Sequence, residues 1–99
     1  MENNCCNNIQ GKRKEEVNQN LIVRLNKIEG QIRGIKGMIE KGAYCDDILT
    51  QMSAVQSAIN SASQVLLESH LNTCIAPRIK EDDPEVIAEF LNTVKRMMR

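Results

Sequence analysis

Between Ala43 and Cys74 the chain contains neither Gly nor Pro, and Ile48, Met52, Val55, Ile59, Ala62 and Leu66 recur in alternating steps of four and three. This pattern predicts one long amphipathic helix. Cys45 stands near its start, and His70 and Cys74 stand four apart near its end. At about 1.5 Å per residue, Cys45 is roughly 38 Å along the axis from His70, while about 100° of rotation per residue returns it to nearly the same face. The three side chains share a face and cannot meet within one helix. Packing a second copy antiparallel, with a dyad near Ala58 and Ile59, brings Cys45 of one chain beside His70 and Cys74 of the other. Isologous symmetry then gives two identical sites per dimer.

Ninety-nine residues with one Phe, one Tyr and no Trp make a single small domain with little aromatic mass for a monomeric core. The core must come from Leu, Ile, Val, Ala and Met, so an all-α fold is expected, and association supplies the missing burial. There is no signal-peptide h-region and no apolar run near 18 residues, which points to the cytoplasm and away from a membrane span. Formal charge is zero overall, yet residues 1–41 carry eight Lys or Arg against five acids, and residues 42–83 two against six. The basic character is regional. Of the four cysteines, Cys5 and Cys6 are adjacent and the other two share the long helix. Reduced thiols suit that arrangement better than two disulfides.

Residues 1–17 are polar and Asn-rich and read as a flexible basic tail. Residues 18–99 then form a three-helix domain. Helix one runs to about Lys41 on a seam of Leu21, Leu25, Ile28, Ile32, Ile35 and Ile39, with Gly42 as its stop. Gly30, Gly34 and Gly37 within it cost about 1 kcal/mol each relative to Ala, so a close helix contact is expected there. Helix two opens around Tyr44 to Asp47 and closes before Pro77. Asp83 reads as the N-cap of helix three with Pro84 at its first position, and Val86, Ile87, Phe90, Leu91, Val94 and Met97 or Met98 line its apolar side.

Two thiolates and one imidazole form a soft, three-donor set. That suits Cu(I), whereas structural Zn(II) takes four ligands and Ni(II) or Co(II) favours more nitrogen or oxygen. The plain alternative is that Cys45 and Cys74 are small buried hydrophobes and His70 an ordinary histidine. Tyr44 either hydrogen-bonds within the site or packs at the helix junction. Cys5 and Cys6 are a redox pair, an added metal point or neither, and Met38 and Met52 follow core seams. Arg24, Lys27 and Arg33, extended by Lys36 and by Lys12, Arg13 and Lys14 of the tail, form either a solvated face or a surface that an oligomer multiplies to neutralise phosphates. No helix-turn-helix signature is evident.

The block from Arg24 to Ile35 (RLNKIEGQIRGI), the Tyr44–Leu49 junction (YCDDIL), the stretch Gln51–Ala58 (QMSAVQSA) and the His70/Cys74 pair together closely resemble the CsoR/RcnR family, over roughly residues 20 to 98. The resemblance implies an all-α repressor, a dimer of dimers, that binds operator DNA in the apo form and releases it when an inducer occupies the cysteine site. Cys45, His70 and Cys74 match the copper-sensing pattern of that family. Nickel and cobalt sensors add an N-terminal histidine, and His70 is the only histidine here. Formaldehyde sensors lack the last cysteine and persulfide sensors lack the histidine. The resemblance also implies supporting roles beside the metal for Tyr44 and, across a short gap near Glu81 to Pro84, Glu89.

The expected function is therefore Cu(I)-dependent derepression. The other readings are a repressor of the same family that responds to persulfide, and a copper chaperone or buffer that does not bind DNA. A metal-dependent hydrolase would need an open coordination position and a general base, and with one His and no carboxylate in the motif the chain is not expected to be an enzyme.

Overall fold

The computed structural model describes residues 15–98. Cys5, Cys6, Lys12, Arg13 and Lys14 lie outside the described residues. Four α-helical segments follow one another: α1 (Glu15–Glu40), α2 (Cys45–His70), α3 (Ala76–Lys80) and α4 (Val86–Met97), with a π-helical turn at Leu71–Ile75 joining α2 to α3. The described residues contain helices and no strand, as an aliphatic, aromatic-poor composition requires. They divide into two compact units, 15–66 and 67–98.

In the first unit, α1 is helical from Glu15, ahead of the boundary expected at Asn18. Glu15 and Glu16 lie in its first turn, where the helix dipole favours acids, and Gln19 donates to Oε2 of Glu15 at 3.2 Å. At the other end Ala43 N–H bonds the Met38 carbonyl at 2.9 Å and Gly42 N–H bonds that of Ile39 at 3.1 Å. Those two bonds, with φ of 73° at Gly42, make a Schellman stop. Tyr44 then starts α2, its carbonyl accepting from Asp47 and Ile48 N–H.

The two hydrophobic seams are each divided in half. In α1, Ile28 and Ile35 are buried while Leu25, Ile32 and Ile39 are exposed. In α2, Val55 and Ala62 are buried and Ile48 is half-buried, while Met52, Ile59 and Leu66 are exposed. Every seventh residue thus goes inward, with Ile28, Ile35 and Val55 forming a cluster against Ile48 and Ala58. The alternate heptad set is left outward on both helices. The close contact expected at the helix-one glycines is absent among the described residues: a Cβ at Gly34 or Gly37 would meet nothing within 4 Å, and one at Gly30 only the tip of Arg33 at 3.9 Å.

In the second unit the helical path does not close before Pro77 but runs through it to Lys80. Pro77 cannot donate to the carbonyl four residues back, that of Thr73, and its ring crowds it. The π turn adds a residue just ahead of Pro77, with Ala76 N–H reaching Leu71 O, and Pro77 falls in the first turn of α3, where its missing N–H costs nothing. Asp83 is not the N-cap expected: α4 starts at Val86 with Glu85 at the N-cap and no side-chain cap bond, because Asp83 Oδ1 accepts Glu85 N–H at 2.9 Å and folds residues 83–85 into a turn ahead of the helix. Ile75 and Val86 are almost wholly buried. Phe90 and Val94 are half-buried, while Ile87, Leu91 and Met98 remain exposed.

Candidate metal centre and nucleic-acid face

The three candidate ligands fall in different units. Cys45 heads α2 in the first unit with an exposed, free thiol. His70 and Cys74 belong to the second, at the end of α2 and inside the π turn. Among the described residues, no group of three His, Cys, Asp or Glu side chains comes together to hold a metal.

Cys74 is 2% exposed. Thr73 packs against it, its Oγ1 3.7 Å from Cys74 Sγ while donating to the Ser69 carbonyl at 2.8 Å. Ser69 is itself buried.

His70 is half-buried, and burial pulls its pKa below the ordinary value; Glu89 opposes that shift and Arg78 adds to it. Burial thus favours the neutral imidazole, the form that ligates metal. Both modifying charges lie in the same unit. Glu89 projects from α4, and Arg78 from α3 donates Nη1–H to Glu89 Oε1 and Nε–H to Asp83 Oδ2, each at 2.7 Å. The expected supporting carboxylate, Glu89, thus stands in the electrostatic field of His70 and is gripped by Arg78.

Arg78 was not legible as a site residue. It follows Pro77 in a short segment, and its partner is eleven residues away, beyond any helical periodicity. Tyr44, the other expected supporting residue, is 70% exposed and belongs to the first unit, whereas Glu89 belongs to the second.

The basic residues of α1 divide by helical geometry. Arg24 and Lys27 are about 60° apart, whereas Arg33 lies about 180° from Arg24, so they do not form one stripe. Arg24 and Lys27 line an open groove of about 880 Å³ together with Glu15, Glu16 and residues of α2. Arg24 donates to Asn20 Oδ1 at 2.7 Å. Lys27, Arg33 and Lys36 are exposed.

The sequence profile described as "metal-sensitive transcriptional repressor" matches residues 17–96. The chain belongs to that family. Curated members similar to it include the copper-sensing transcriptional repressor CsoR of Bacillus subtilis (strain 168), 40% identical across 99% of this chain and 94% of the relative. The copper-sensing transcriptional repressor RicR of Mycobacterium tuberculosis is 42% identical across 81% of this chain and 86% of its own. Among solved structures, the copper-sensing repressor CsoR with Cu(I) from Geobacillus thermodenitrificans NG80-2 superposes with a TM-score of 0.80 at 40% identity, covering 88% of this chain and 92% of that one. The nickel-responsive regulator InrS gives 0.72 at 33% identity, covering 81% and 91%. Among the described residues no helix is long and apolar enough to cross a membrane.

Proposed function

We propose that this member of the family is a cytoplasmic Cu(I)-responsive repressor, a regulator and not an enzyme. It binds operator DNA in its metal-free form and lets go when Cu(I) is bound. Cys45 of one copy and His70 and Cys74 of a second copy would hold the ion, twice per antiparallel dimer, and dimers pair into a tetramer. The observation that carries this reading is the division of the donor set. A half-buried imidazole, its neutral form favoured by that burial, and a buried sulfur belong to one unit, and the remaining sulfur is exposed in the other. An isologous dimer completes such a set, and the outward halves of both seams supply its apolar surface.

The donor chemistry fits Cu(I): two soft thiolates and one neutral nitrogen. These donors from two chains would hold the ion, whose soft-ligand chemistry would link the two copies. His70 then has one ring nitrogen committed, and its other N–H turns to a carboxylate, as ligating histidines do. Glu89 is the carboxylate at hand, and it carries the pull into α4. Arg24, Lys27 and Arg33, aided by Lys12, Arg13 and Lys14, would contact phosphates, and the shift in α4 changes how copies present those charges. Release is allosteric, so operator DNA weakens Cu(I) binding by the same free energy.

The test is operator binding by the reduced protein, anaerobically, titrated with Cu(I), Zn(II), Ni(II) and a persulfide donor. Selective loss of DNA with Cu(I) is expected. Release by the persulfide donor alone would move the inducer to sulfur chemistry, and Cu(I) uptake without any operator binding would make the protein a copper buffer.

A further inference from the structure

Arg78 holds two carboxylates with one guanidinium. The three side chains are 18%, 30% and 18% exposed for Arg78, Asp83 and Glu89. Half-shielded charge-assisted bonds of 2.7 Å in a forked geometry fix direction as well as distance. Asp83 is in turn anchored by accepting Glu85 N–H. Arg78 therefore ties the loop that starts α4, and a residue one turn inside α4, back to the segment that carries His70 and Cys74.

We infer that Arg78 is a positioning residue for the copper response: it sets the Glu89 carboxylate to receive the His70 N–H and makes α4 follow that bond. The inference rests on the copper reading above. A carboxylate has room for about four hydrogen bonds, so the Arg78 bond to Oε1 orients Glu89 without exhausting it. Without the guanidinium, the Glu89 carboxylate loses the 2.7 Å bond that ties its direction to Arg78 and Asp83. Its bond to His70 would then form without moving α4, because Asp83 and the α4 start are no longer coupled to the same group. Arg78 itself donates no lone pair, so the affinity for the ion stays with Cys45, His70 and Cys74.

The experiment compares wild type, Arg78→Ala and Arg78→Lys for Cu(I) affinity, by competition with a chromogenic Cu(I) chelator, and for operator affinity with and without Cu(I). The wild-type ratio of operator Kd values measures the coupling, which in allosteric proteins spans about 5- to 150-fold. For Arg78→Ala we expect that ratio to fall about tenfold while Cu(I) affinity stays within about threefold. A purely structural role would weaken metal-free operator binding and leave the ratio intact. Should Arg78→Ala melt below the assay temperature, Arg78→Lys decides the matter: one ammonium keeps the charge but cannot span both carboxylates as a fork, so its ratio must also fall. A full ratio in a folded variant overturns the role of Arg78 alone. A wild-type protein that keeps its operator under Cu(I) overturns the copper reading, and the inference with it. In the metal-free protein, the Arg78 Nε–H resonance should exchange slowly with solvent and lose that protection in Asp83→Asn; fast exchange in wild type would remove the clamp.

Discussion

Arg78 and Asp83, five residues apart, are joined by a 2.7 Å Nε–H···Oδ2 bond across the turn between α3 and α4. The Asp83 carboxyl is held below its ordinary pKa, first by the Glu85 N–H it accepts and then by Arg78. A carboxylate with a depressed folded pKa contributes stability that is complete above the unfolded value and is lost as pH falls through the folded one. Asp83→Asn should therefore lower Tm at pH 7, and the difference from wild type should close below about pH 4. Thermal melts at stepped pH check this; a gap that persists well below that pH would exclude the carboxylate's charge as its source.

His70 should titrate below the ordinary histidine range, because burial disfavours the imidazolium. Its folded pKa being depressed, the residue costs stability only as pH falls below the unfolded value. Glu89→Gln removes the opposing charge and should lower the His70 pKa further, whereas Arg78→Ala should raise it. Proton NMR of the single histidine reads both signs directly.

Replacing His70 with Ala should leave substantial Cu(I) affinity in the two thiolates but impair operator release. Fluorescence anisotropy of labelled operator, with Cu(I) affinity measured in parallel, separates the two. A folded His70→Ala variant that still releases DNA normally would refute the relay through Glu89.

Charge reversal at Arg33 should weaken operator binding and make log K fall less steeply with log salt, the slope shrinking by about one for each phosphate no longer neutralised. Arg24 and Lys27, on another side of α1, should give losses that add to it. An unchanged slope excludes Arg33 from the interface.

Ile75→Ala should cost about 2 to 5 kcal/mol, the usual range for emptying a filled aliphatic site, because Ile75 is 1% exposed. Ile59→Ala, at 45% exposure in one chain, should cost little in a monomer and much more, with concentration-dependent melting, where a second copy covers it. Urea denaturation at several protein concentrations distinguishes the two.

The chain's local rules were readable in one dimension. Apolar steps of three and four marked the helices, and Gly42 marked a stop because a left-handed residue favours glycine; Asp83 was legible as a turn former but not as the N-cap, since its carboxylate takes the N–H two residues on before the helix begins. The type and spacing of Cys45, His70 and Cys74 suggested the donor set proposed above, since softness and valence belong to the side chains themselves. What the tertiary structure decided is everything set by packing between distant residues. Periodicity alone could not divide each seam into an inward and an outward half, because both halves obey the same spacing. Nor could it foresee that a π turn would carry the helix through Pro77, or that Arg78 would reach Glu89. Those outcomes depend on where backbone and charge meet in three dimensions, which no periodicity along the chain encodes.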